Sequence, residues 1–405
     1  MGNSSSISKW SGERDEYMTI VIVVDRIKPL TNGSVITARR FADGLRDRGH
    51  NVRIVAIGAD GKDDCDLAQC NIPVINSILA LNDFIFAKYD EEKVRKVFEG
   101  ADIIHFIFPF ALGHKAKKLA DKMGIPTTCA FHVQPENISY NIHMGKFKWV
   151  NNLIYKFFHS YFYKSFHRIH CPSNFIAEQL RKHNYTNNLY VISNGYDPIF
   201  RLPEKKEDNE KFEIIMVGRL SPEKNQKVIV DAISASAHRE NIHLTLYGNG
   251  ANRKKLAKQA KKGGVSADFG FLPKEDLAVQ LQKCDLYVHS AVVEIEAISC
   301  LEAIACGTVP VIADSDLSAT PQFALDGRSL FQSDNAADLA KKIDYWYEHK
   351  KERREMEKKY AAFARTEYCL EKSLAKAEIM FADEISDFRH AGEAENGEIA
   401  EEEVF

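Results

Sequence analysis

Two glutamates in the second half of the chain, Glu294 and Glu302, have a spacing that could bind one elongated ligand. Eight residues of helix rise about 12 Å, so a ligand that touches both carboxylates must be long and must have different parts at its two ends. A nucleotide joined to a sugar has that length. The spacing alone is a weak signal, since a loop charge and a solvated helix glutamate would give the same pattern.

The two glutamates lie in a predicted strand–loop–helix–strand unit. Leu286 to Val288 and Val309 to Ala313 are short apolar runs typical of buried strands. A helix is predicted between them from about Ala297 to Cys306, and Gly307 is expected to end it in a left-handed conformation. The loop and the start of the helix should therefore lie at the carboxyl edge of a parallel sheet, where open α/β sheets bind ligands.

A pair of cations follows another predicted strand, 213–217, in the loop sequence GRLSPEKNQ. Ser221 and Pro222 are suited to the N-cap and first position of a helix, which would place Lys224 in the first helical turn. A lysine there opposes the helix dipole. The position of Lys224 is explained if Arg219, Lys224 and the free backbone N–H groups all bind one phosphate. Two solvated surface cations would leave the unfavourable position of Lys224 at the helix dipole unexplained.

These motifs together resemble a known family. The pattern from Glu294 through Glu302 to AIACGTVPVIA, and the loop GRLSPEKN, resemble signatures of the retaining GT-B glycosyltransferases of family 4. The resemblance covers nearly all of residues 18–385. It implies two Rossmann-like α/β domains that face one another across a cleft, and transfer of a hexosyl unit from a nucleoside diphosphate sugar to an acceptor hydroxyl. The family generally needs no metal, so we expect no cofactor and no metal site.

The resemblance also assigns roles to individual residues. Arg219 and Lys224 would hold the pyrophosphate, Glu302 the ribose hydroxyls and Glu294 the sugar hydroxyls, while His132 would contact the transferred sugar from the other domain. We therefore predict that His132 and Glu294 are the catalytic residues. The remaining members of the predicted donor site are Gly33, Gly248, Phe271, Ala297 and Ile298.

The first half of the chain begins with a predicted β-α-β unit. The strand Thr19 to Val24 leads through a loop containing Gly33 to a helix from about Ile36 to Arg48. A glycine at such a junction offers backbone N–H groups to an anion, although a plain turn glycine is the simpler alternative. His132 directly follows another strand, 127–131, and should face the cleft; a structural histidine is the alternative.

One departure from the family concerns the donor loop. Family members usually carry Phe-Gly two and three positions after the first glutamate, where this chain has Glu296 and Ala297. An extra carboxylate near the diphosphate could change the choice of donor or orient an acceptor. We expect a UDP-sugar, with the donor's identity put in doubt by this difference.

Residues 137–177 have an unusual composition, with no Asp or Glu. Residues 143–170 hold five Lys/Arg, four His and nine aromatic residues. Such a helix suits an anionic membrane surface, and a core-packing helix with basic residues on its wet side is the alternative. The predicted membrane or acceptor contacts are Lys146, Lys148, Trp149 and Lys156. The acceptor we favour is therefore a lipid or a glycan precursor. Nucleic acid is not expected, since no RNA-binding motif is visible.

Composition indicates an ordinary globular protein. Hydrophobic residues make up 45% of the 405 and charged residues 27%, and the eight cysteines show no zinc spacing. No apolar run approaches the roughly 20 residues that span a bilayer. Residues 18–195 carry 23 Lys/Arg against 16 Asp/Glu, while residues 196–405 carry 29 against 38. We expect a cytoplasmic protein whose basic first half faces something anionic, such as the inner face of the plasma membrane.

The predicted organisation has five parts. They are a disordered leader at 1–17, an acceptor domain at 18–195, a nucleotide-sugar domain at 196–366, a helix at 367–388 that crosses back to the first domain, and an acidic disordered tail at 389–405. A nucleotide-sugar epimerase and a glycan phosphorylase are alternative enzymes on the same scaffold. A catalytically silent partner subunit is the alternative from a different class.

Overall fold

The protein is seen in a computed structural model that describes residues 17–28, 33–70, 85–141, 144–145 and 147–402. Within these ranges the chain forms two parallel α/β domains, which confirms the predicted fold class. The predicted leader lies outside the described residues except for Tyr17, and so does Lys146 of the predicted membrane contact.

The described part of the N-terminal domain contains a seven-stranded parallel sheet in the order β3-β2-β1-β4-β5-β6-β7. Its strands are β1 (Thr19–Arg26), β2 (Asn51–Ile57), β3 (Cys65–Asp66), β4 (Ile103–Phe106), β5 (Thr127–Ala130), β6 (Arg168–Cys171) and β7 (Asn188–Val191). The α-helices are α1 (Gly33–Asp47), α2 (Glu91–Phe98), α3 (Ala111–Lys122), α4 (Pro135–Asn141), α5 (Lys148–Tyr161) and α6 (Asn174–Lys182). The strand β1 is central and buried, which explains its apolar run from Ile20 to Val24.

The C-terminal domain repeats this plan with a six-stranded parallel sheet in the order β10-β9-β8-β11-β12-β13. Its strands are β8 (Phe212–Val217), β9 (Ile242–Tyr247), β10 (Ser266–Gly270), β11 (Leu286–His289), β12 (Val309–Asp314) and β13 (Leu330–Gln332). The α-helices that follow β8 are α7 (Gln226–Ala235), α8 (Arg253–Gly263), α9 (Lys274–Lys283), α10 (Ile298–Ala305), α11 (Ala336–Glu348), α12 (Lys350–Tyr368) and α13 (Leu370–Glu402).

Strand order explains where the predicted donor loops come together. In the second sheet, β9 and β11 lie on opposite sides of β8, so the direction of winding reverses between β8 and β11. Loops that leave the carboxyl ends of two such strands diverge and open a crevice, which is the usual ligand site of doubly wound sheets. The loop 218–225 follows β8 and the loop 290–297 follows β11. Both predicted donor loops therefore border the same crevice.

The last helix returns to the N-terminal domain. Leu374, Met380 and Phe381 of α13 are buried in the same core cluster as β1 and α1. A buried ion pair fixes the contact, since Arg168 Nη1 of β6 lies 2.6 Å from Glu384 Oε2. The last helix thus starts beside the C-terminal domain and packs against the N-terminal domain.

Residues 389–402, for which the sequence predicted a disordered tail, instead continue α13 to Glu402. The segment contains no proline, and Ala and Glu, both good helix formers, supply most of its residues. High net charge suggested disorder, but the local helix propensity of these residues favours continuation of a helix that is already nucleated on the N-terminal domain.

The packing of α13 predicts that Phe381→Ala destabilises the N-terminal domain by about 3–5 kcal/mol, because the ring is 1% exposed and its removal leaves a cavity. Urea unfolding measures the change. Phe388→Ala on the same helix is the matched control, because Phe388 is 44% exposed and should change the free energy of unfolding by less than about 0.5 kcal/mol. Equal effects of the two substitutions would contradict this docking of α13.

Candidate active site

Glu294 and Lys224 meet in the crevice of the C-terminal domain. Lys224 Nζ donates to Glu294 Oε1, and both side chains are largely buried. Burial acts to raise the pKa of Glu294, but the Lys224 ammonium outweighs it and lowers that pKa to about 2. Glu294 is therefore ionised at neutral pH. Two residues that are 70 positions apart in sequence are joined as the family resemblance implied for one donor site.

The loop that carries Lys224 differs from the prediction. Pro222–Lys224 forms a short 3₁₀ turn, Asn225 adopts a left-handed conformation at φ 50°, and α7 begins only at Gln226. Ser221 and Pro222 take the predicted N-cap and first position, but of this 3₁₀ turn rather than of α7, and the Ser221 hydroxyl donates to Glu223 Oε1 at 2.6 Å instead of bonding to a backbone N–H. Lys224 precedes the helix rather than occupying its first turn. It still lies close to the positive end of α7, so the need for a nearby anion remains.

Arg219 occupies the same loop as Lys224. Its Nη2 donates to Glu223 Oε1 at 2.8 Å, so the carboxylate of a buried glutamate holds the guanidinium in place. Glu223 Oε1 thereby accepts hydrogen bonds from both Arg219 and Ser221, and these two bonds stabilise the loop. Sequence reasoning missed this role of Glu223, because the motif GRLSPEKN contains the residue but does not show which side chains it contacts.

Gly248 and Gly250 allow two loops to approach closely. Their φ angles are 146° and 159°, and a Cβ on either residue would overlap a carbonyl oxygen, that of Gly218 or that of Leu220. The Gly248 N–H donates to Gly270 O at 2.8 Å, so it serves the scaffold. These glycines therefore support the loop that carries Arg219 and Lys224, and the Gly248 N–H is not directed to a phosphate.

Glu302 lies farther along the crevice, on α10. Ala297 is the N-cap of that helix, and Ile298, one turn before Glu302, faces the other domain, since its Cδ1 is 3.8 Å from where a Cβ on Gly33 would lie. Burial raises the pKa of Glu302 to about 7, against the opposing effect of Arg40. The structure thus brings the two domains together at Gly33, Ile298 and Glu302.

His132 is buried just beyond β5 in the N-terminal domain. Its Nε2 is buried and has no hydrogen-bond partner among the described residues. Burial, and then the neighbouring His170 ring at 5.4 Å, lower the pKa of His132 well below its usual range. The imidazole is therefore neutral, with a buried ring nitrogen left over for a ligand.

Two residues that the sequence singled out have other surroundings than expected. Phe271 follows β10 and is largely exposed. Glu296 was expected near the diphosphate, but its Oε2 accepts from the Asn194 N–H at 2.7 Å, so this carboxyl faces the hinge. Burial raises the pKa of Glu296 to about 8, which makes it a neutral acid at pH 7. Burial is the cause, because a protonated carboxyl can accept from the Asn194 N–H without leaving an unpaired charge in the interior.

Sequence reasoning also missed Arg40 and His289. Arg40 of α1 reaches Glu302, and His289 Nε2 approaches Glu294 Oε1 to 3.3 Å without hydrogen-bond alignment. Position could have indicated His289, because it ends a strand at the carboxyl edge. Arg40 gives no such signal, since it looks like any cation of an amphipathic helix.

Different residues of the basic, aromatic helix α5 support each of the two interpretations of its sequence. Tyr155 and Phe158 are core residues, as the packing alternative required. Lys148, Lys156 and three large apolar side chains are exposed on the same helix, the latter being Trp149 (62%), Leu153 (60%) and Phe157 (56%). Among the helices of the described ranges, none has the length and apolarity needed to cross a bilayer.

Two Rossmann-like domains with paired cations and carboxylates between them define a GT-B glycosyltransferase. Residues 31–200 match the model for glycosyltransferase family 4, and residues 200–362 match the model for glycosyl transferases group 1. The chain belongs to this family and is a glycosyltransferase, which confirms the resemblance stated from the motifs.

The names of two curated relatives specify different sugars. A GDP-mannose-dependent alpha-mannosyltransferase of Corynebacterium glutamicum is 24% identical over 73% of this chain and 72% of its own. Alpha-monoglucosyldiacylglycerol synthase of Streptococcus pneumoniae is 25% identical over 73% and 71%. Glycosyl transfer to an acceptor is common to both names.

One solved structure shares this fold over most of the chain, and a second matches a shorter segment by sequence. Anabaena Alr3699/HepE in complex with UDP and glucose is 17% identical, with a TM-score of 0.70 over 91% of this chain and 100% of that one. The catalytic domain of cholesterol-alpha-glucosyltransferase from Helicobacter pylori is 54% identical over 38% of this chain and 98% of that one, at a TM-score of 0.38.

The loop contact predicts that Gly248→Ala impairs nucleotide binding. The new methyl group would displace the loop that carries Arg219 and Lys224, and a misplacement of about 1 Å can cost about 100-fold in rate. Calorimetric titration with a nucleoside diphosphate measures the loss of affinity. Gly327→Ala is the control, because no atom lies within 4 Å of its new Cβ. Unchanged affinity in Gly248→Ala would show that the glycine contact does not shape the site.

Proposed function

We propose that this glycosyltransferase moves a hexosyl unit from a UDP-sugar to a hydroxyl group of a membrane lipid, with retention of anomeric configuration. The observation that carries the donor part is the Lys224–Glu294 pair in one crevice with Glu302. The UDP complex of a structural neighbour and the diacylglycerol synthase among the relatives support donor and acceptor, respectively. The GDP-mannose-dependent relative makes GDP-mannose the competing donor.

The proposed chemistry is mainly electrostatic. Negative charge grows on the diphosphate as the sugar–phosphate bond breaks, and Arg219 and Lys224 would stabilise it in a partly buried loop. With two cations in that position, we propose that the enzyme needs neither a metal nor another cofactor. The neutral His132, from the opposite domain, would accept a hydrogen bond from a sugar hydroxyl, so productive binding requires both domains.

Glu294 and Glu302 would bind hydroxyl groups at the two ends of the donor. Glu294 is ionised and lies next to the phosphate-binding lysine, so it suits hydroxyl groups of the sugar. Glu302 lies one helical turn into α10, farther from that loop, and suits the ribose hydroxyls. This division matches the roles that the family resemblance implies.

A nucleotide-release assay tests the donor assignment. Purified protein is incubated with UDP-glucose, UDP-galactose, UDP-N-acetylglucosamine or GDP-mannose and with vesicles that contain diacylglycerol or a sterol. We expect release of UDP that depends on the acceptor, an α-linked product by NMR, and the same rate with EDTA. Release of GDP alone would reject the UDP assignment, and epimerised sugar nucleotide without release would favour an epimerase.

Lys224→Ala in the same assay should lower kcat by about 100- to 1,000-fold, because a preorganised positive charge at the leaving group is lost. Lys227→Ala is the matched control, since Lys227 is exposed on the first turn of α7 and should turn over like the wild type. If Lys224→Ala kept wild-type turnover, the diphosphate site would have to lie elsewhere.

The exposed surface of α5 supports a membrane-bound acceptor. Trp149, Leu153 and Phe157 are spaced four residues apart and so lie on one face of the helix, with Lys148 and Lys156 beside them. Such a face can bury its apolar side chains at the lipid interface while each cation adds about 1 kcal/mol with anionic lipids. We propose that this face docks the enzyme on the cytoplasmic leaflet of the plasma membrane.

Vesicle flotation tests this docking. We expect the wild type to float with vesicles rich in phosphatidylglycerol at low salt, and much less with phosphatidylcholine alone. The triple variant W149S/L153S/F157S should stay at the bottom of the gradient, because it removes the apolar contact. Ile379→Ser is the control, as Ile379 is exposed on α13 away from this face. Equal flotation of the triple variant and the wild type would reject α5 as the docking element.

A further inference from the structure

Arg40 is a buried cation of the N-terminal domain that contacts the hinge and the C-terminal domain. It lies on α1, and its side chain is only 8% exposed. Its Nη1 donates to the Gly195 carbonyl oxygen at 2.8 Å, and its Nη2 lies 3.4 Å from Glu302 Oε1. One guanidinium therefore joins the hinge and the carboxylate at the far end of the donor crevice.

We propose that Arg40 is a positioning residue for donor recognition, which orients the Glu302 carboxylate and couples it to the hinge at Gly195. The proposal rests on the proposed function in one respect, that Glu302 receives the ribose of the donor. The ion pair between Arg40 and Glu302 joins the two domains, and its effect on stability can be measured without a donor.

The charges around Glu302 show why Arg40 matters. Asp197 of the hinge and Lys274 of α9 also face Glu302, but these two form their own ion pair at 2.6 Å. The Cys306 thiol at the end of α10 is the other titratable neighbour. Arg40 is therefore the cation in direct contact with Glu302, and it opposes the burial that raises the pKa of this carboxyl to about 7.

The protonation state of Glu302 decides what it can bind. An ionised carboxylate can accept hydrogen bonds on both oxygens, whereas a protonated one carries a hydroxyl that donates. Arg40 contacts Oε1 and leaves Oε2 to a ligand. Because the same guanidinium holds the Gly195 carbonyl, a movement of the N-terminal domain about the hinge would change both contacts together.

A donor-free experiment tests the ion pair. Thermal unfolding of the wild type and Arg40→Met is followed from pH 5 to pH 9. The folded pKa of Glu302 is raised from its ordinary 4.5 to about 7, so its contribution to stability is full at low pH and is lost as pH rises through that window. Without Arg40 the folded pKa is higher still, so further stability is lost above pH 7. The difference in Tm should therefore be constant below pH 6.5 and widen from pH 7 to pH 9.

Three further variants assign the effect. Arg39→Met on the same helix is the matched control, because Arg39 pairs with Asp43 and Asp60 near the surface and its Tm difference should not widen. The widening should vanish when Arg40→Met is combined with Glu302→Gln. It should persist with Glu296→Gln, which removes the other buried carboxyl near Arg40. Arg40→Lys keeps the charge and should restore most of the wild-type profile.

Donor kinetics test the consequence for recognition. For the sugar nucleotide that the wild type uses, Arg40→Met should raise KM with little change in kcat at pH 9. The acidic limb of its kcat/KM profile should move to higher pH by about 1–3 units, the usual effect of losing a close opposite charge. A merely structural role would lower kcat/KM equally at every pH.

The outcomes separate this inference from the proposed function. A Tm difference that does not widen with pH, or that widens equally in Glu302→Gln, overturns the inference. If it widens as expected but the wild type releases no nucleotide from any donor, the ion pair stands and the proposed function fails. If donor turnover is normal and the KM of Arg40→Met matches the wild type at every pH, Arg40 does not serve donor recognition.

Discussion

Three carboxyl groups are buried where the two domains meet, and a charge buried there must be paired or removed. Removing a carboxylate from water costs several kcal/mol unless a cation or a proton compensates it. The protein uses a different solution for each group: Lys224 pairs with Glu294, Arg40 contacts Glu302, and Glu296 is a neutral acid at pH 7. Each of these three carboxyl groups is thereby compensated, and the cations beside them could also bind an anion.

These solutions differ in which parts of the chain they connect. The Lys224–Glu294 pair lies within the C-terminal domain, between the loops that follow β8 and β11. The Arg40–Glu302 contact crosses between domains, and Glu296 reaches the hinge at Asn194. The Lys224–Glu294 contact therefore joins two loops of one domain, whereas the Glu302 end of the crevice depends on the N-terminal domain. The last helix reinforces that dependence, because it anchors on the N-terminal core through Phe381 and the Arg168–Glu384 pair.

Local patterns predicted most of the fold and part of the site. Apolar runs located the central strands, and the motifs around Lys224 and Glu294 predicted residues that the structure joins. Arg40 could not be found in this way, since its partners Gly195 and Glu302 are 155 and 262 residues away and its helix shows only ordinary amphipathic spacing. The capping position at Ser221 was predicted, but the type of helix was not. Ser221 begins a 3₁₀ turn, its hydroxyl bonds to the nearby Glu223 carboxylate, and the left-handed Asn225 delays the start of α7 to Gln226.

The Lys224–Glu294 pair also indicates how a donor could bind without leaving a buried charge alone. A nucleoside diphosphate sugar carries phosphate oxygens for Lys224 and hydroxyl groups for Glu294, so each partner of the internal pair would find a replacement in the same ligand. The site would then exchange one set of polar contacts for another, with little reorganisation of its own dipoles, which is the condition for strong electrostatic stabilisation of a leaving group. A ligand with only one of these parts, such as free glucose, would have to break the pair without replacing both contacts. Such a site should select for the whole nucleotide sugar over its fragments.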